Sequence, residues 1–330
     1  MDAALKHGGA LDAAMARWGG RRADWLDLST GINPRPLPLP PLPPDAWTRL
    51  PEAADEAALV DAARAFYGAA GKIVAAPGTQ ALIGLWPHLF KPRRAAILAP
   101  TYEEHRRALV RAGHEATECA GLGDIPADAS LVVVVNPNNP DGRRFERRTL
   151  LALAERLVAC DGLLVVDEAF ADADPADSLA GDTAGPLPIL VLKSFGKYFG
   201  YAGLRLGFAL CGGALAERIA ARLGPWAVSG PALAVGAAAL SAERATGAVR
   251  DRLEEQAQRT RKTLSAAGLA IAGGTAMFTL IRDERAGAIF ERLAARHILT
   301  RPFAYEPTWL RFGNIGDDTQ ADRLAEALCC

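Results

Sequence analysis

The hydrophobic positions along this chain do not keep one period, and each change of period predicts a different element. The run Leu131-Val132-Val133-Val134-Val135 is apolar at every position, as a strand covered on both faces of a sheet must be. Similar short runs predict strands at Lys72 to Ala76, Arg94 to Ala99, Leu163 to Val166 and Pro188 to Leu192. Between and before them, Asp55 to Tyr67, Thr79 to Phe90, Glu103 to Ala112 and Arg148 to Cys160 read as helices. Strands alternating with helices predict an α/β architecture, a large and mainly parallel sheet domain covered by helices. Past Gly213 the pattern shifts to Ala-rich helices, Pro231 to Leu240 and Ala245 to Ala267. Strands Leu269 to Ala272 and Met277 to Ile281, with helices near 284–296 and 318–328, then predict a smaller α+β domain. At the N-terminus a short helix should end at Gly19-Gly20, followed by an extended piece from Trp25 to Leu28. Seven prolines between Asn33 and Pro44 predict a stiff, polyproline-like segment. The expected organisation is an arm over residues 1–44 lying on the small domain and the active site, a large domain over 45–213 and a small one over 214–330.

Composition narrows the partners. The chain has 330 residues with 37 Lys and Arg against 38 Asp and Glu, a formal net charge of −1. So even a balance gives no electrostatic reason to expect nucleic acid or an anionic membrane as partner. Any anion site must be local, built from a few arginines and backbone amides. Five cysteines at scattered spacings, with no C-x-x-C pair, point to a reducing compartment and to no disulfide framework. Residues 1–20 lack the charged-then-apolar order of a secretory leader, and no stretch approaches the roughly 18 apolar residues that span a bilayer. A cytoplasmic location is expected, and no metal site.

Buried parallel strands present ligand groups at their carboxyl ends, so the residues that follow each apolar run are where chemistry is expected. Asn136-Pro137-Asn138-Asn139-Pro140-Asp141-Gly142 follows the valine run and reads either as an ordinary turn or as a fixed amide donor. Asp167-Glu168-Ala169-Phe170 ends another run; Asp167 suits a carboxylate that keeps a heteroaromatic nitrogen protonated, or a plain strand end. Lys193-Ser194-Phe195-Gly196-Lys197 follows a third, with Arg205 beyond it. A lysine near buried surface becomes a nucleophile toward carbonyls, and Ser194 with Arg205 suits a phosphate. Pro77-Gly78-Thr79-Gln80 joins a strand to a helix, where exposed amides attract anions.

The order and spacing of the four segments resemble the pyridoxal-phosphate enzymes of the aspartate-aminotransferase fold (fold type I), and more closely the histidinol-phosphate aminotransferase branch. By that resemblance Gly78, Thr79 and Gln80 would hold the cofactor phosphate with Ser194 and Arg205, and Tyr102 would stack on the pyridine ring. Asn139 would donate to the ring's phenolic oxygen, Asp167 would pair with the ring nitrogen, and Lys197 would hold pyridoxal phosphate as a Schiff base. Tyr67 would reach the phosphate in a neighbouring subunit, which implies a homodimer with active sites at the interface. Arg311, in Leu310-Arg311-Phe312, would clamp the substrate's α-carboxylate.

His7-Gly8-Gly9, Asp27-Leu28-Ser29-Thr30-Gly31-Ile32-Asn33-Pro34 and Asp167-Glu168-Ala169-Phe170 look like the threonine-phosphate decarboxylases of cobalamin biosynthesis. Those enzymes turn L-threonine O-3-phosphate into (R)-1-amino-2-propanol O-2-phosphate and carbon dioxide. The resemblance implies a phosphorylated amino acid as substrate, with His7, Gly8, Gly31 and Asn139 near it; Arg301, by its position, is a second candidate beside His7 for the substrate phosphate. Three departures stand out. Phe170 sits where related aminotransferases carry a tyrosine, Asp141 replaces a threonine, and Gly31 stands in place of an asparagine. An aminotransferase such as the histidinol-phosphate enzyme is the alternative activity, and a non-catalytic pyridoxal-phosphate binder a third.

Overall fold

The apolar runs become neighbours in a seven-stranded sheet in the computed structural model of the chain, which describes residues 8–329. Its strands are β1 (Lys72–Ala76), β2 (Arg94–Leu98), β3 (Glu115–Cys119), β4 (Leu131–Val135), β5 (Leu163–Asp167), β6 (Ile189–Ser194) and β7 (Gly207–Cys211). Their order across the sheet is β1-β7-β6-β5-β4-β2-β3. Only β7 runs against its neighbours, so the other six deliver their carboxyl ends to one edge. Every residue of β4 and β5 is buried, which is why neither strand shows an apolar–polar alternation.

β3 and β7 are additional to the predicted strands. β3 pairs on one side only, with β2, and four of its five residues are exposed or half-buried, so Glu115-Ala116-Thr117-Glu118-Cys119 carries none of the apolar signal of a central strand. β7 is wholly buried but short, and it lies just before Gly212-Gly213, where the pattern changes.

Two compact units divide the chain. The larger comprises residues 37–139 and 143–247. Residues 214–247 therefore belong with the large sheet, although the sequence pattern assigns them to the smaller domain, and residues 37–44 join it as well. The reason is apolar burial. Helix Gly213–Leu223 sets Ala216 and Ile219 into the same core as β1 and β7, and helix Gly230–Leu240 packs along helix Ala53–Tyr67. The proline-rich stretch 37–43 forms neither helix nor strand, and the Leu37 carbonyl accepts the Tyr201 hydroxyl.

The second unit gathers the residues up to Pro36, Pro140–Gly142 and the residues from Ala248 onward. Its antiparallel sheet has β8 (Ile271–Thr275), β9 (Phe278–Arg282), β10 (Arg301–Pro302) and β11 (Trp309–Gly313) in the order β10-β11-β9-β8. Leu26–Asp27 pairs in parallel with Ile298–Leu299, so the N-terminal segment is stitched into this unit by backbone hydrogen bonds. Helix Leu11–Trp18 stops at Gly19, whose φ of 76° suits glycine and whose N–H returns to the Met15 carbonyl. Trp25, Leu28, Phe290, Leu293 and Phe312 share the unit's core. Gly142 (φ 75°) packs so closely on β8 that a Cβ there would lie 2.1 Å from the Gly274 carbonyl oxygen.

Leu190, fully buried in β6, tests which strands bear the stability. Leu190→Ala should cost about 2–5 kcal/mol, whereas the change Glu118→Ala on the edge strand should stay within about 0.5 kcal/mol, both read from urea unfolding of the large unit.

Candidate active site

At the end of β1 the chain turns through Gly78 (φ 85°) into helix Thr79–Leu85. A Cβ at Gly78 would lie 2.7 Å from Arg205 Nη2, and one at Gly207 would lie 2.6 Å from the Thr79 nitrogen. Glycine is therefore needed twice to bring a guanidinium and a backbone amide this close together. Arg205 itself holds a φ of 55°, a conformation that costs a non-glycine residue roughly 1–2 kcal/mol. Ser194, half-buried, closes β6 opposite Gly207. A donor set of amide, hydroxyl and guanidinium around a glycine cradle fits a phosphate ester.

Beside the cradle, Asp167 ends β5 fully buried. Its Oδ1 accepts the Ala169 N–H at 3.0 Å, and its Oδ2 lies 2.8 Å from His105 Nε2. His105 was not among the sequence candidates, although it stands one helical turn beyond Tyr102, the spacing at which residues share a face. Its Nδ1 is buried with no hydrogen-bond partner among the described residues, so the network assigns the ring proton to Nε2, facing Asp167. The Tyr102 hydroxyl donates to Gln80 Oε1 at 3.0 Å, and its ring meets His105 edge-on at 6.1 Å between centroids. Gln80 thus orients the tyrosine. The pair Tyr102 and Asp167 offers a ring face and a carboxylate, which is what a protonated pyridine needs.

The asparagine loop divides its work. Asn136 exchanges two hydrogen bonds with the Phe145 backbone, at 2.9 and 3.0 Å. Asn138 donates to the Pro100 carbonyl and accepts from Thr101 Oγ1. Both amides lock the loop to its surroundings, and Asn139 sits half-buried between Asn138 and Pro140.

Two lysines share one segment, and geometry tells them apart. Lys193 is 1% exposed, with Nζ 2.7 Å from Glu168 Oε2 and 3.3 Å from Asp172 Oδ1. Burial pushes its pKa down, but the two carboxylates outweigh burial and hold it above the ordinary lysine value. An ammonium so held is no nucleophile. Lys197 is half-buried, with Nζ 5.6 Å from the centre of the apolar Phe170 ring. The Tyr67 hydroxyl is buried without a hydrogen-bond partner among the described residues, its ring lies 5.0 Å from Lys193 Nζ and packs on Phe208, and burial together with Asp172 and Glu168 pushes its pKa well up. Within one chain the tyrosine thus packs into its own unit.

The second unit brings two arginines together. Arg301 and Arg311 are directly opposite each other on β10 and β11. Arg311 is 6% exposed and donates from Nη2 to the Ser29 carbonyl at 2.9 Å. Burial, and then the charge of Arg301, push its pKa down to about 10. Arg301 also lines a small recess with Ser29 and Thr300, whose hydroxyl is buried without a partner among the described residues. An anion there would relieve the repulsion and satisfy the hydroxyl. Ser29 Oγ donates to Asp27 Oδ1 at 2.5 Å and accepts the Gly9 N–H at 2.7 Å. A Cβ at Gly8 would lie 2.5 Å from the Ser29 carbonyl oxygen, so this glycine too marks a close approach. Gly31 is buried; His7 lies outside the described residues.

Comparison with known proteins agrees with this chemistry. The model of the family "Aminotransferase class I and II" matches residues 45–328. A threonine-phosphate decarboxylase from Sinorhizobium sp is 46% identical, over 99% of this chain and 98% of that protein. One from Pseudomonas aeruginosa is 44% identical, over 98% and 97%. Among solved structures, histidinol-phosphate aminotransferase from Sinorhizobium meliloti in complex with pyridoxal-5'-phosphate superposes with a TM-score of 0.79 at 21% identity, covering 96% of this chain and 93% of that one.

Borohydride reduction of the enzyme with its cofactor, followed by peptide mapping, should place the cofactor adduct on Lys197 and leave Lys193 unmodified. An adduct on Lys193 would overturn the distinction drawn from its two carboxylate partners.

Proposed function

The chain belongs to the class I and II aminotransferase family, whose members depend on pyridoxal phosphate, and from that premise we propose that it decarboxylates L-threonine O-3-phosphate to (R)-1-amino-2-propanol O-2-phosphate. The observation that carries the reading is the reach of the likeness. The two threonine-phosphate decarboxylases match 98–99% of this chain, including the N-terminal segment that precedes the family match at residue 45. Phe170 supports it as well, since a buried apolar ring stands where related aminotransferases carry a phenol.

When bound, pyridoxal phosphate supplies an electron sink for the pair left by the departing carboxylate. The side chains then have separate tasks. Gly78, Thr79, Ser194 and Arg205 bind the phosphate ester, Gln80 steadies Tyr102, and Tyr102 covers one face of the ring. Asp167, held by His105 and the Ala169 amide, accepts the ring-nitrogen proton in a charge-assisted hydrogen bond. Asn139 donates to the phenolic oxygen. Lys197 Nζ would hold the cofactor covalently and, once the substrate amine is bound in its place, would deliver the proton that replaces the lost carboxylate at the substrate Cα. Arg311 takes the α-carboxylate, while Arg301 and His7 take the substrate phosphate. Which bond at Cα breaks depends on which bond those anion clamps hold perpendicular to the ring. The same clamps that select a phosphorylated amino acid therefore select decarboxylation over transamination.

In this reading the product serves cobalamin biosynthesis, and the enzyme works in the cytoplasm as a homodimer with active sites at its interface. The arm ahead of the large domain helps exclude water from the reaction. Balanced charge argues against a nucleic-acid partner, and no helix among the described residues is long and apolar enough to cross a membrane.

Incubation with L-threonine O-3-phosphate should release carbon dioxide in step with amine product, without conversion of the cofactor to pyridoxamine phosphate. Pyridoxamine phosphate accumulating without gas would establish the aminotransferase activity instead. Arg301→Ala should raise KM for threonine phosphate by about 10–100-fold, the loss of one or two charged hydrogen bonds at roughly 1.5–3 kcal/mol; an unchanged KM would remove Arg301 from the phosphate site.

A further inference from the structure

Lys193 is a buried charge at the large sheet's ligand edge to which the reaction gives no task. Its ammonium is buried, and the residue makes contacts through both its side chain and its carbonyl. Through Nζ it reaches Glu168 and Asp172 at 2.7 and 3.3 Å. Glu168 follows Asp167 directly, and its carboxylate also accepts the Ser178 hydroxyl at 2.6 Å and the Leu179 N–H at 2.8 Å. Through its carbonyl oxygen Lys193 accepts the Thr79 hydroxyl at 3.1 Å, the first residue of the helix that leaves the glycine cradle. Side chains alternate along a strand, so Lys193 turns to the face opposite Ser194. It thus braces the strand end from behind while its neighbour faces the ligand.

We propose that Lys193 is a positioning residue, whose buried contacts with Glu168 and Asp172 set the spacing between Asp167 and the Gly78–Thr79 turn and so the fit of the cofactor. A buried ion cluster adds little to stability compared with well-packed apolar groups of the same volume, but its hydrogen bonds are directional. Here they resist sliding of the end of β5 against the end of β6. Pyridoxal phosphate is a rigid ring with a short phosphate arm, so its affinity depends on holding both ends within a fraction of an ångström. Lys193 touches the supports of both. The inference rests on the proposed assignment of Asp167 to the ring nitrogen and of Thr79 to the phosphate.

The test uses the full-length protein stripped of cofactor, with two readouts: the dissociation constant for pyridoxal phosphate by absorbance titration, and the thermal midpoint of the apoprotein. Lys193→Met alone would leave two buried carboxylates without their cation, so the informative variant is the charge-free triple Glu168→Gln/Asp172→Asn/Lys193→Met. It should keep an apoprotein midpoint close to the parent's and bind cofactor about tenfold or more weakly, the scale expected when a site is held too loosely. Parental affinity in that variant overturns the proposal. Should the triple variant not fold, Asp172→Asn decides, since it keeps the 2.7 Å pair. It should weaken binding about threefold at an unchanged apoprotein midpoint, and no change in affinity overturns the proposal. Asp167→Asn separates the two readings. If it leaves affinity intact, the site assignment fails; if it weakens binding and the bracing variants do not, only the inference about Lys193 fails.

Discussion

A strand covered on both faces can carry polar side chains only where it leaves the sheet. That constraint organises the large unit. β4, β5 and β6 are apolar through their length and turn polar at their carboxyl ends, where Asn136, Asp167 and the Lys193-Ser194 pair emerge on one edge. Because six of the seven strands run the same way, their polar ends collect in one place without any long-range charge attraction to gather them. The single antiparallel strand, β7, completes the glycine cradle, because Gly207 allows the Thr79 amide to approach.

Charge in the two units is handled in opposite ways. In the large unit each buried ion is answered locally: Asp167 by His105 and a backbone amide, Lys193 by Glu168 and Asp172. Burying an uncompensated charge costs several kcal/mol, so such pairing is what lets ionised groups sit there at all. In the other unit Arg301 and Arg311 stand opposite each other on neighbouring strands, and burial, then the charge of Arg301, lowers the pKa of Arg311 to about 10.

Phe170 sits three residues after Asp167 and 5.6 Å from Lys197 Nζ, and it offers no hydroxyl. A phenol there would donate to the cofactor's own oxygen and alter the basicity of the lysine's bond to it.

Much of this was legible in the residues alone. Unbroken apolar runs mark central strands because burial on both faces admits nothing else, and the polar residues after each run mark the ligand edge for the same reason. Lys197, Asp167, Gly78 and Arg205 stand at or after such run ends, and the resemblance of their order to a known family is what singled them out. Edge strand β3 could not be read this way, since a strand covered on one side needs no apolar signature. Nor could the assignment of residues 214–247 to the large unit, which depends on which core receives Ala216 and Ile219. The division of labour between Lys193 and Lys197, the inward turn of Tyr67 and the pairing of His105 with Asp167 were likewise decided by tertiary structure. A sequence shows that a residue can be charged, but only the packed fold shows which opposite charge, at what distance, stands beside it.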